Sequence, residues 1–379
     1  MSPGLNLAHA LRDHRVARRL LAGIETCVAR LVGADPTRQV NLMEVCGTHT
    51  MAIAASGLRT LLPPRLTMLS GPGCPVCVTS AGDIDRALAL ARLPGVVIAT
   101  FGDMLKVPGS GGSLLSMRPS GARVKVVYSP LEAVQHAREH PDQTVVFLGV
   151  GFETTAPVVA AAARRALEER LSNFLVLPLF KLVPPALEAI LSLPQHRIDG
   201  LILPGHVSAV IGTEPYRFVV DRYEVPSVVT GFEPADILQG ILMVLTQRVE
   251  GRADVEIQYR RSVPARGNPR AVALLAEMFE PTAARWRAMG TIPASGLSFS
   301  DRYRSLDVQT RFDLPYVETP EPPGCCCGTI LMGLTRPIDC PLFGGRCTPG
   351  DPVGPCMVSS EGACAAAYTY DAGGVRNKG

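Results

Sequence analysis

Eleven cysteines are spread unevenly along this chain: Cys27, Cys46, Cys74 and Cys77 come early, seven lie between Cys325 and Cys364, and none falls from Val78 to Gly324. Thiolates are soft ligands for iron, zinc and iron-sulfur clusters, and they also exchange as disulfides. Thiols grouped in this way are placed for chemistry. Their odd number argues against a pure disulfide framework.

Among the late cysteines, Cys325, Cys340, Cys347 and Cys364 form the pattern Cys-x14-Cys-x6-Cys-x16-Cys. Four thiolates are what a cubane iron-sulfur cluster needs. Zinc is the alternative, although the short Cys-x2-4-Cys knuckles of structural zinc sites are missing, as are the common ferredoxin spacings. Cys327 and Cys356 are left over. They are either a disulfide-capable pair that takes electrons from a neighbouring cluster or two free buried thiols. The triplet Cys325-Cys326-Cys327 leaves the first ligand open among three residues, of which Cys325 is favoured.

The early cysteines sit just past two strand-like runs. Cys46 lies in Glu44-Val45-Cys46-Gly47-Thr48-His49-Thr50, and Cys74 and Cys77 in Gly71-Pro72-Gly73-Cys74-Pro75-Val76-Cys77. Ligands of open α/β sheets bind at the carboxyl ends of strands. Ser80 and Asp83 read as a capping pair that opens a helix, and a thiol near a helix N-terminus has its thiolate stabilised by free N–H groups. Two readings compete: a reversible Cys74–Cys77 disulfide, or a metal surrounded by Cys46, His49, Cys74 and Cys77. Glu153 with Thr154 and Thr155, and His206 with Ser208, also follow apolar runs, where they either face a cleft or cap the next helix. The glycine-rich stretch Pro108 to Ser113 lacks the Gly-x4-Gly-Lys-Ser/Thr pattern of a phosphate cradle and reads as a loop.

These residues must be positioned by alternating strands and helices. Apolar, β-branched runs predict strands over Val40 to Val45, Leu66 to Ser70, Val96 to Thr100, Val124 to Tyr128, Val145 to Val150, Phe174 to Leu177, Gly200 to Leu203 and Ser227 to Thr230. Helical stretches are expected at Ile84 to Ala91, Leu131 to Arg138, Ala156 to Glu169, Pro185 to Leu191 and Ala235 to Leu245. Near-continuous apolar strands separated by helices mark a parallel sheet covered on both faces. Eight strands suggest two α/β domains, 1–140 and 141–250, divided near His140-Pro141. An echo between Gly151-Phe152-Glu153 and Gly231-Phe232-Glu233 supports that split. Beyond Gly251 the alternation fades, and 251–379 is expected to be a separate loop-rich α+β domain organised by its metal.

The chain has 379 residues, 47% of them hydrophobic, and a formal charge of +3 with both signs interspersed. The basic, helix-prone stretch His9 to Arg30 is too interrupted by charge for a signal peptide. Glu153 breaks the apolar stretch from Val145 to Ala163, so no membrane span is expected. A cytoplasmic location follows as the expectation, and there clustered cysteines more often bind metal than form structural disulfides. One Trp and a mixed charge pattern give no support for nucleic-acid binding.

Taken together, Cys46-Gly47-Thr48-His49, Gly71 to Cys77, Gly151-Phe152-Glu153-Thr154-Thr155, Gly205-His206-Val207-Ser208, Cys340-Pro341-Leu342-Phe343-Gly344 and Ser359-Ser360-Glu361-Gly362-Ala363-Cys364 resemble the HypD family of [NiFe] hydrogenase maturation proteins over nearly the whole chain. The resemblance implies two α/β domains and a third that holds a [4Fe-4S] cluster. It implies a scaffold for assembling the Fe(CN)2CO group, with iron at Cys46 and with Cys74, Cys77 and His49 nearby. It also implies a HypC-type partner that shares the iron and a HypE-type partner that delivers cyanide, with a HypF-type carbamoyl transferase upstream. Glu153, His206 and Glu361 fall in the shared motifs, Cys325, Cys340, Cys347 and Cys364 match the cluster ligands, and Cys327 and Cys356 match a disulfide-capable pair. Cys326 is extra, and Cys27 lies outside every motif. An iron-sulfur disulfide reductase acting on a separate protein is the main rival, and a zinc-stabilised binding module is a third class.

Overall fold

A computed structural model of the chain describes residues 14–35 and 37–371. The start of the basic stretch, from His9 to Asp13, lies outside the described residues. The chain begins with α1 (His14–Val32), β1 (Val40–Glu44), α2 (Gly47–Ala55), β2 (Leu66–Ser70), the single turn α3 (Pro75–Val78) and α4 (Ala81–Ala91). It continues through β3 (Val96–Thr100), β4 (Arg123–Val126), α5 (Pro130–Glu139), β5 (Thr144–Gly151), α6 (Ala156–Glu168), β6 (Phe174–Phe180) and α7 (Val183–Leu191). Then come β7 (Gly200–Pro204), α8 (Gly205–Ile211), β8 (Ser227–Thr230), α9 (Pro234–Glu250) and β9 (Val255–Ile257). The last part holds β10 (Phe279–Trp286), β11 (Gly290–Phe299) and three short turns, α10 (Cys327–Leu331), α11 (Pro355–Val358) and α12 (Ala363–Ala366).

All eight expected strands form, within a few residues of their anticipated ends. Together with a ninth, β9, they build two wholly parallel sheets, a five-stranded one in the order β2-β1-β7-β8-β9 and a four-stranded one in the order β4-β3-β5-β6. Every residue of β3 and β7 is buried, and so is all of β5 beyond Thr144, which is why these strands read as unbroken apolar runs rather than as alternating ones. Ser80 caps α4 by accepting the Asp83 N–H at 3.2 Å, as its spacing predicts. Packing of α1 on α9 buries Ile24, Val28 and Val32 against Ile237, Ile241 and Leu245.

The division at His140-Pro141 is not where the fold separates. β3 pairs with β5 across that point, with Val96 opposite Thr144. The chain leaves the first sheet after β2, builds the whole second sheet, and returns at β7 to pair Leu42 with Gly200. An apolar buried strand has the same signature in either sheet, so chain order alone assigns it to the wrong partner. The echoed Gly-Phe-Glu segments instead mark one equivalent position in each sheet, after β5 and after β8.

The boundary at 251 also shifts. β9 is the edge of the first sheet, pairing Ser227 with Val255. The antiparallel β10–β11 hairpin packs on β6 and α7, and Leu182 N–H donates to Ser295 O at 2.8 Å. β9 has three half-buried residues and the hairpin strands are mostly exposed along β10, so neither carries the apolar run that revealed the others. The loop-rich part is therefore confined to the cysteine-rich tail, and its short turns dock on the two sheets.

The hairpin tip holds the chain just beyond Cys77. Trp286, the one tryptophan, is buried and donates Nε1–H to Ser295 Oγ at 2.8 Å. Its backbone bridges Thr79, while Arg287 donates its N–H to Val78 O at 2.8 Å and its Nε to Thr79 O at 3.0 Å. Trp286→Ala is expected to cost about 3–5 kcal/mol in urea unfolding, as large-to-small core changes do. It should also speed amide exchange at Val78 and Thr79; unchanged exchange there would show that the tip does not restrain this segment.

Candidate thiol and metal site

Cys46 follows β1 and is the residue preceding α2, with extended backbone at φ −153° and ψ 126°. Its sulfur lies within reach of the Thr48 and His49 N–H groups and the Thr48 hydroxyl. A helix N-terminus arranged this way stabilises an anion. Burial nevertheless dominates and pushes the thiol up to about 12, with Glu361 raising it further. Cys46 is therefore a thiol at neutral pH unless a cation replaces its proton, as thiolate-binding metals do.

The loop around it is locked by close backbone approach. Gly47 N–H donates to Gly73 O at 2.8 Å, and a Cβ at Gly73 would lie 2.7 Å from the carbonyl carbon of Cys46. On the other side, a Cβ at Gly47 would lie 2.8 Å from Glu361 O. Beneath the loop, Glu44 ends β1 fully buried. Its carboxylate accepts from Thr50 Oγ1 at 2.6 Å and from Cys46 N–H at 3.2 Å, and desolvation raises it to about 7.

Cys74 and Cys77 are joined in a disulfide with their Cα atoms 5.2 Å apart, the first of the two arrangements their spacing allows. Cys74 precedes α3 and Cys77 lies within it, 3% and 0% exposed respectively. His49 is buried and neutral, its pKa lowered to about 4 by desolvation. Its Nε2 is engaged by Thr230 Oγ1 at 2.8 Å and Gly231 O at 3.0 Å, while Nδ1 has no partner. Phe232 stands between two imidazoles, 4.8 Å from the His49 ring and 4.1 Å from that of His206. His206 is exposed; partial desolvation lowers its pKa and the charge of Glu361 opposes that shift.

Glu153 is buried and caps a helix, though not its own. Its Oε1 accepts the Val183 N–H at the start of α7, at 2.9 Å, and Oε2 has no partner. Sequence reasoning assigned no role to Tyr216, which is fully buried with its hydroxyl unpaired; Ser208, Glu153 and Cys46 all act on it. Ser208 Oγ is buried and unpaired as well. A lone Tyr after a loop gives no sequence signal. Glu44 gives a faint one, an acid closing an otherwise apolar strand.

The tail connects the two groups of thiols. Ser359 and Ser360 donate to Asp103 Oδ2, after β3, at 3.2 and 3.4 Å. Two residues further on, Glu361 Oε1 accepts from Thr48 Oγ1 at 2.7 Å. α11, which carries Cys356, packs on α3, and the Cys77 sulfur lies 3.9 Å from Pro355 O. Within the tail, Cys327 and Cys356 donate toward Cys364 and lower its pKa to about 6. Cys325 neighbours Cys327, and Cys326 neighbours Cys340. Cys347 accepts from Val353 N–H at 3.3 Å.

The structure thus brings Cys46, His49, Cys74, Cys77, Glu153, His206 and Glu361 to the adjoining carboxyl edges of both sheets. It gathers Cys325, Cys340, Cys347 and Cys364 beside Cys327 and Cys356, without separating the first four from the others. Cys27 packs on the α1–α9 core, away from both groups. Among the described residues no helix is long and apolar enough to cross a membrane.

These features define an α/β protein of two parallel sheets whose shared carboxyl edge carries a buried thiol site closed by a cysteine-rich tail. The family model described as "HypD: Hydrogenase formation hypA family" matches residues 16–371. Hydrogenase maturation factor HypD of Rhodobacter capsulatus is 44% identical over 377 residues, covering 98% of this chain and 99% of that protein. The Azotobacter vinelandii factor of the same name is 46% identical over 366 residues and 95% of each chain, and that of Escherichia coli K12 is 43% identical over 334 residues, 88% of this chain and 90% of the relative. The chain belongs to the HypD family of hydrogenase maturation factors.

Burial raises the Glu153 carboxyl from 4.5 to about 7. Between those values the folded state keeps a proton that the unfolded state releases, so stability falls as pH rises through this window and levels off above it. Glu153→Gln should remove that share of the dependence and raise stability at pH 8 by up to ~3 kcal/mol. Urea unfolding from pH 4 to pH 8 measures this, and curves of unchanged slope would contradict it.

Proposed function

We propose that this chain acts in hydrogenase maturation by holding iron at Cys46 while the Fe(CN)2CO group is assembled. A HypC-type partner contributes a second thiolate to that iron. A HypE-type partner delivers cyanide, prepared with a HypF-type carbamoyl transferase. The observation that carries this reading is the Cys46 sulfur itself. It is buried, faces the N-terminal N–H groups of a helix, and is flanked by a disulfide and by Glu361. A low-spin, electron-rich iron needs a thiolate donor without a full protein cage, and a single buried cysteine fits that role.

The tail has room for a [4Fe-4S] cluster. Gly354 leaves space that any side chain would fill, since a Cβ there would lie 2.6 Å from Cys325 Sγ and 2.7 Å from Cys327 Sγ. Cys325, Cys340, Cys347 and Cys364 would hold the cluster, which supplies electrons one at a time when bound.

Cys327 and Cys356 are adjacent free thiols, and the turns that carry them, α10 and α11, both pack on α3, which holds Cys77. Exchange between the pairs is balanced internally: two thiols become a disulfide as Cys74–Cys77 opens to two thiols, with both protons transferred. Re-reduction of Cys327–Cys356 then takes two electrons and two protons. With Cys74, Cys77 and Cys356 at 3%, 0% and 0% exposure, this chemistry is suited to an internal acceptor rather than to a separate protein substrate.

Infrared spectra of anaerobically purified protein with its small partner test the iron assignment. Cys46→Ala should abolish the cyanide and carbonyl bands while leaving the iron-sulfur absorption intact; unchanged bands would exclude Cys46 as an essential ligand. Gly354→Ala should do the reverse to the tail, lowering acid-labile sulfide and its associated iron. Full sulfide content in that variant would contradict the proposed cluster position.

A further inference from the structure

A cavity of about 260 Å3 opens where the carboxyl end of β6 meets the start of α4 and the β10–β11 hairpin. Lys181, the residue after β6, lines it and is 2% exposed, with Nζ 3.6 Å from Asp83 Oδ2. Arg86, further along α4, also lines it and sets Nη1 3.5 Å from the other oxygen of the same carboxylate. Its Nε is buried with no hydrogen-bond partner. One buried carboxylate therefore faces two cations, and neither contact closes to the roughly 2.7–2.9 Å of a charge-assisted hydrogen bond.

The other charges on the walls are engaged elsewhere. Arg285 is paired with Glu318, and Asp307 accepts the Gln309 N–H at 2.9 Å. A buried ammonium short of acceptors is costly, as is a half-paired buried guanidinium. Both cations face a space large enough for a ligand. The position is also one where parallel sheets take ligands, at the end of a strand, and Lys181 N–H donates to Gly151 O at 3.0 Å, which ties it to the loop carrying Glu153.

We propose that this cavity binds a small oxyanion of the carboxylate or phosphate type, held by Lys181 and Arg86, with Asp83 orienting the two cations. The site is separate from the thiol site and does not depend on how that site is used. Its volume suits a free anion of phosphate size or a short carboxylate.

Calorimetric titration of the full chain with inorganic phosphate, and separately with acetate, tests this at ionic strength held constant with chloride. One equivalent of at least one probe should bind, about tenfold or more weakly in Lys181→Met and in Arg86→Gln, with the exposed Lys106→Met unchanged. Binding of phosphate alone would assign a phosphate-type ligand, and binding of both the shared oxyanion chemistry. Phosphate should also raise the melting temperature of the wild type and not of Arg86→Gln, which keeps the test decisive if Lys181→Met does not fold. Absence of binding by both probes, or equal binding in all variants, would overturn the proposal and leave the cavity to water.

Discussion

The close approach of three backbone segments around Cys46 is the constraint on which the rest of the site depends. Gly73 lies against the Cys46 backbone on one side and Glu361 against Gly47 on the other, leaving no space for a side chain at either glycine. These segments come from β1, from the loop after β2 and from the far end of the chain. Their meeting fixes the Cys46 sulfur at the start of α2, places the Cys74–Cys77 disulfide beside it and draws the tail over both. Ser359 and Ser360 extend the same clamp to Asp103 on the second sheet, so the tail spans the carboxyl edges of both sheets.

Burial sets the chemical state of the groups inside that clamp. Cys46 is held as a thiol, His49 as a neutral imidazole, and Glu44 and Glu153 as carboxyls that titrate near 7. Each shift opposes charge in a desolvated space. The interior is therefore close to neutral; a cation that displaced the Cys46 proton would leave an anion for the free N–H groups of α2 to stabilise. Unpaired polar atoms are concentrated here too, at His49 Nδ1, Glu153 Oε2, Ser208 Oγ and Tyr216 Oη, where a native structure otherwise pairs nearly all such groups.

Much of this was legible in the residues. Apolar runs located every strand of the two sheets except β9, because burial on both faces leaves an unmistakable composition. Cys46, Cys74 and Cys77 were placed at strand ends for the same reason. Which sheet each strand joins was not legible, since β7 pairs with β1 only after four other strands have formed elsewhere. Glu44, Asp103 and Tyr216 escaped notice because one polar or aromatic residue beside an apolar strand or in a loop carries no pattern of its own. The tail resisted a ligand assignment for a different reason: seven sulfurs share one small volume, and spacing along the chain does not say which ones converge.

If the tail thiols and the Cys74–Cys77 disulfide form one redox unit serving iron at Cys46, opening of the disulfide requires Cys327 and Cys356. Anaerobic reduction followed by thiol counting at Cys74 and Cys77, in wild type and in the Cys327→Ala, Cys356→Ala double variant, measures this. Stoichiometric reductant should open the disulfide in the wild type and leave it closed in the double variant, with cluster absorption retained in both. Equal opening in the two proteins would contradict that requirement.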